Sequence, residues 1–142
     1  MWTVMLLSAS LILSCAAAPK YPAPQPPITD TLSVGFKEAF QASHEALRKD
    51  ERLVVHTVDN AGRFIAWEKT SGIIFFQHRT VLDIRLEPLD KDKTKITILL
   101  SAEEYDWGGL TLAAGWYPSS KVDTFLGEDI LKLIKTRVEA SA

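Results

Sequence analysis

Cysteine is nearly absent from this chain: Cys15 is the only one in 142 residues. A single thiol excludes an internal disulfide, so the core has to hold without a covalent staple. The three histidines, His44, His56 and His78, sit far apart in sequence, with no Cys-x-x-Cys or His-Glu-x-x-His spacing. No metal and no cofactor is therefore expected. Basic runs are lacking as well. Sixteen Lys and Arg against eighteen Asp and Glu leave a net charge of -2, and no cationic stripe is available to track phosphates, so nucleic acid is not an expected partner. There is no Gly-rich phosphate loop before a helix and no Gly-x-Ser-x-Gly elbow. Charge of either sign is missing from Met1 to Ala18.

That uncharged stretch is dense in Leu6, Leu7, Leu11, Ile12 and Leu13 and ends in small residues. It reads as the apolar region of an export signal, shorter than the about 20 residues of a membrane span. Ile12-Leu13-Ser14-Cys15 resembles the lipobox of bacterial lipoproteins. The resemblance implies cleavage between Ser14 and Cys15, with the Cys15 thiol carrying a diacylglyceryl group and the new amino terminus acylated. Two or more acyl chains at about 0.8 kcal/mol per buried methylene anchor a protein durably, so the membrane is an expected partner through Cys15. Ala16 after the cysteine is similar to outer-membrane sorting signals in a Gram-negative host, which implies the periplasmic face of that membrane. Met1-Trp2-Thr3 lacks the usual basic residues, and the expectation is a start codon upstream of Met1.

Pro19, Pro22, Pro24, Pro26 and Pro27 follow. They forbid helix and favour an extended tether, about 37 Å long for twelve residues at about 3.1 Å each. The expected division is a signal peptide at 1–14, a lipidated cysteine and tether at 15–29, and one domain at 30–142.

Within the domain, Phe36, Ala39, Phe40, Ser43 and Leu47 recur at helical spacing between Leu32 and Lys49, with Ser33 as the expected N-cap. Leu53 to Val58 and Phe64 to Lys69 read as strands around the turn Asp59-Asn60-Ala61-Gly62. After a turn at Thr70-Ser71-Gly72, Ile74, Phe76, Leu82, Ile84 and Leu86 alternate along one face. Pro88 to Lys93 closes a hairpin, and Ile96, Ile98, Leu100 and Ala102 continue the alternation. Leu126, Ile130, Leu133, Ile134 and Val138 form a last helical stripe, with Asp123 near its start. The expected fold is α+β: a two-layer sandwich with an antiparallel β-meander of four to five strands, flanked in sequence by an N-terminal and a C-terminal helix. This order behind a lipobox is similar to small bacterial envelope lipoprotein domains of unestablished function. The likeness rests on Lys69-Thr70-Ser71-Gly72-Ile73-Ile74 and Leu126-Gly127-Glu128-Asp129-Ile130, and it implies no catalytic residue.

Two surfaces stand out. Tyr105, Trp107, Trp116 and Tyr117 lie in a glycine-rich stretch and are the candidate partner-binding residues, since Trp and Tyr give rigid amphipathic contact area. The competing reading makes Trp107 and Trp116 plugs for the open end of the sandwich. Ile65, Trp67, Phe75 and Leu99 are a second set, able to emerge together on the sheet face opposite the helices. Glu103, Glu104 and Asp106 are the densest acids, but only Glu104 and Asp106 share a strand face, which fits a polar edge better than a catalytic pair. The functional expectation is a non-catalytic, lipid-anchored binding or assembly module with an envelope protein as partner. The alternative is a small lipid-anchored hydrolase or ligand carrier.

Overall fold

Alternation of apolar and polar residues builds a six-stranded antiparallel sheet, and two helices cover one face of it. The computed structural model describes residues 24–69, 77–109 and 113–141. Ser14 and Cys15, most of the tether, the Thr70-Ser71-Gly72 turn, and Ile74, Phe75 and Phe76 lie outside the described residues. In chain order the elements are β1 (Ile28–Leu32), α1 (Phe36–Lys49), β2 (Leu53–Asp59), β3 (Arg63–Glu68), β4 (His78–Asp90), β5 (Lys93–Asp106), β6 (Gly115–Ser119) and α2 (Thr124–Ser141).

The expected meander is β2 to β5, paired in sequence order. Two short strands extend it to six. β1 pairs with β5 from Ile28–Ile98 to Leu32–Thr94, and β6 pairs with β5 from Ala102–Ser119 to Asp106–Gly115. Since β4 occupies the other side of β5, β1 and β6 lie in tandem along one edge. The sheet therefore takes in Ile28 and Thr29 from the stretch assigned to the tether, and prolines end the pairing just before them.

The first helix starts later than the Ser33 cap predicts. β1 keeps the backbone extended to Leu32, and the N-cap is Gly35, with no side-chain cap. A Cβ at Gly35 would sit 2.6 Å from the Lys91 carbonyl oxygen in the β4–β5 turn, so close approach of two backbones selects glycine there. α1 buries Ala39, Ala42, Ser43, Ala46 and Leu47, and the Phe40 and Phe64 rings meet at 4.9 Å. α2 is capped by Asp123, whose Oδ1 accepts from the backbone N–H of Phe125 at 3.0 Å and of Leu126 at 3.3 Å. The Asp123 N–H donates to Thr80 Oγ1 at 3.0 Å, pinning the start of α2 to β4.

The core lies between the helices and the face carrying Phe64, Leu82, Ile84, Leu86, Ile96 and Ile98. Its hydroxyls are bonded at Thr80 and at Thr94, which donates to the Val34 carbonyl at 3.0 Å. Ser43 Oγ is buried with no hydrogen-bond partner among the described residues. Two ion-pair clips hold α2 in place. Lys135 reaches Asp30 on β1 at 2.9 Å, and Arg52 bridges Asp50 at 2.8 Å and Asp129 at 3.2 Å. The Lys135 hydrogen bond holds the Asp30 carboxyl below its ordinary value, and the Asp50 hydrogen bond raises the Arg52 guanidinium. No helix among the described residues is long and apolar enough to cross a membrane.

Candidate functional site

Residues directly opposite each other in antiparallel strands share a face, so register identifies everything that projects away from the helices. Trp67 stands opposite Val81, and Val81 opposite Ser101. Ile65 opposes Asp83, and Asp83 opposes Leu99. Arg79 opposes Glu103, and Tyr105 opposes Trp116. No described element covers these residues.

At one end of this face the side chains form a continuous strip. The Arg79 guanidinium carbon lies 4.4 Å from the Trp67 ring centre and 4.1 Å from that of Trp116. Its Nε and Nη2 both reach Glu103 Oε2, at 2.8 and 2.7 Å. The Arg79 side chain is only 16% exposed, so a desolvated cation is held by two π-faces and one carboxylate. His56 continues the strip on one side, 4.7 Å from Trp67. On the other, Tyr105 meets Trp116 edge-on at 5.2 Å and Trp107 edge-on at 4.9 Å. Trp107 is 49% exposed.

At the other end is a charge triad. Arg63 donates to both oxygens of Asp83, at 3.0 and 2.9 Å, and Arg85 donates to Oδ2 at 2.9 Å. Burial pushes the Asp83 carboxyl up, but the bonds from Arg63 and Arg85 outweigh it and hold the carboxyl below its ordinary value. Two guanidinia on one carboxylate leave this end with excess positive charge. Ile65 and Leu99 lie level with Asp83, and Val81 lies between Asp83 and Arg79 along β4.

The structure brings Tyr105, Trp107 and Trp116 into one strip, and Trp116 lies on the sheet face away from the helices rather than between the layers. Tyr117 falls on the opposite face, because neighbouring strand residues alternate; its hydroxyl donates to the Ala113 carbonyl at 2.6 Å. Ile65, Trp67 and Leu99 share the uncovered face, while Phe75 lies outside the described residues. Sequence reasoning missed Arg79, the centre of the strip. The signal was available: counting back along the hairpin from the Pro88–Thr94 pair puts Arg79 opposite Glu103.

The other polar groups disperse. Glu104 is held by Lys121 at 3.3 Å, whereas Asp106 accepts from the Gly108 N–H at 2.8 Å. His44 packs near Phe40 on α1, His56 belongs to the strip, and His78 stands opposite Glu104. Among the described residues no group of three His, Cys, Asp or Glu side chains could hold a metal ion. The chain matches no known protein family and no curated protein.

Proposed function

We propose that this chain is a lipid-anchored binding module of the cell envelope, held to the membrane through Cys15 and engaging its partner with the sheet face that α1 and α2 leave bare. The observation that carries the reading is the Trp67–Arg79–Trp116 strip on that face. Aromatic and arginine side chains are the residues that dominate binding interfaces, and here they are fixed before any partner arrives, which reduces the entropy cost of association. The anchoring half of the reading is supported by Ile12-Leu13-Ser14-Cys15 and the prolines after it. In a Gram-negative host the module faces the periplasm from the outer membrane. The non-catalytic half is supported by the dispersal of acids and histidines among separate partners.

Two measurements test it. Palmitate labelling in cells is expected for the native chain and absent for Cys15→Ala; label retained by Cys15→Ala sinks the anchor. Crosslinking in the same cells is expected to yield a specific adduct that Trp116→Ala loses. An adduct indifferent to Trp116→Ala and Trp67→Ala removes the bare face from the binding reading.

A further inference from the structure

The bare face has a charge pattern that is complementary to itself. Take the row Ile65–Asp83–Leu99 as a line across the strands. On β4, Arg79 and Glu87 lie equally far from Asp83 on opposite sides of that line. On β5, Glu103 and Lys95 lie equally far from Leu99, in the reverse order. On β3, Trp67 and Arg63 flank Ile65 in the same way. A two-fold axis along the row lays one sheet face on another and inverts each strand over its own copy. Arg79 then meets Glu87 of the second copy, Glu103 meets Lys95, and Trp67 meets Arg63. Each contact joins opposite charges or a cation and an indole. Within one copy Glu87 already pairs with Lys95 at 3.2 Å and Arg79 with Glu103, so association extends pairs into four-charge networks. The two Asp83 carboxylates approach the axis, each already compensated by Arg63 and Arg85.

The area suffices. Five strands at about 4.8 Å spacing and about seven residues at about 3.4 Å make a face about 24 Å square. Each copy then contributes about 580 Å2 and the pair about 1,150 Å2, above the about 1,000 Å2 expected of a biological interface. Face-to-face sheets are an established packing, about 10 Å apart with strands within about 30°. The near balance of charge on this face gives a polyanion or a polycation no particular purchase, whereas a second copy brings Arg79 to Glu87, Glu103 to Lys95 and Trp67 to Arg63.

The geometry points to a homodimer in which two copies of this chain pack their bare sheet faces together about the Ile65–Asp83–Leu99 row. This rests on the binding reading above and names its partner as the chain itself. The decisive variant is Glu87→Lys combined with Lys95→Glu. It preserves the pair within one copy, so the fold stands, but sets like charges against Arg79 and Glu103 of the second copy. Sedimentation equilibrium of the full chain in detergent is expected to give a dimer for the native protein and at least tenfold weaker association for the double variant, with unchanged circular dichroism. A native monomer, or a double variant that dimerises as the native chain does, overturns the proposal. A photocrosslinker in place of Leu99 in cells separates this failure from that of the binding reading. An adduct of twice the chain mass supports the dimer. An adduct with a different protein overturns the dimer and keeps the binding face, and no adduct overturns both.

Discussion

Toward the helices the sheet presents Phe64, Leu82, Ile84, Ile96 and Ile98, none more than 1% exposed; on the reverse the same strands present Trp67, Arg79, Asp83, Arg85 and Glu103. The first face is chemically uniform and is held by close packing and exclusion of water. The second is mixed, and is held by stacking and by ion pairs, most of them between neighbouring strands. One covalent alternation thus serves two different kinds of cohesion. Loss of volume is costly on the first, and loss of a specific partner on the second.

Phe64→Ala is expected to open the largest gap between the faces, since a fully buried ring in contact with Phe40 leaves a cavity. The loss is about 3–5 kcal/mol, read as a lower urea midpoint; a loss below about 1 kcal/mol would mean that the covered face is not the core. Gly62→Ala comes next. Gly62 has φ 99°, a Cβ there would lie 2.7 Å from the Leu86 carbonyl oxygen, and its own carbonyl accepts from the Leu86 N–H at 2.8 Å. Strain of about 1–3 kcal/mol is expected, measured in the same titration. On the bare face, Arg79→Ala removes two cation–π contacts and one ion pair, for about 1–2 kcal/mol. Arg79→Lys recovers only part of it, because an ammonium does not stack. Tryptophan emission reports the change, and full recovery by lysine would show that stacking contributes little.

Ser43→Ala is the one core change expected to stabilise, by about 1 kcal/mol, since it removes a buried hydroxyl without a partner. A midpoint that falls instead reveals a bond to that hydroxyl. The smallest effect is a pH dependence. The folded Asp83 carboxyl lies below its ordinary value of 3.8, so its contribution is complete above that value and disappears as pH falls through the lower folded one. Asp83→Asn is expected to flatten this acid limb of the stability profile. An unchanged limb assigns the acid loss to other carboxylates, such as Asp30 or Asp50.

The covered face was legible because burial writes itself as period two in Leu82, Ile84, Leu86 and again in Ile96, Ile98, Leu100. The last helix was legible for the same reason at period 3.6. β1 was not, because Ile28–Leu32 mixes Thr and Asp with only two apolar residues, and its pairing partner lies far along the chain on β5. The strip was legible in part. Its aromatics stand out by rarity, but Arg79 looks ordinary until register sets it beside residues from β3, β5 and β6. Tyr117 stands apart from the strip because adjacency to Trp116 in sequence places it on the opposite face of the strand.

β5 receives the first of the described strands on the same edge as the last of them. During synthesis Ile28 must wait for Ile98 to appear, several seconds at about 5–20 residues per second. The sheet therefore cannot close from its beginning. Until β5 exists, β1 is an unmatched ribbon, and the domain is kept from setting early into a finished shape.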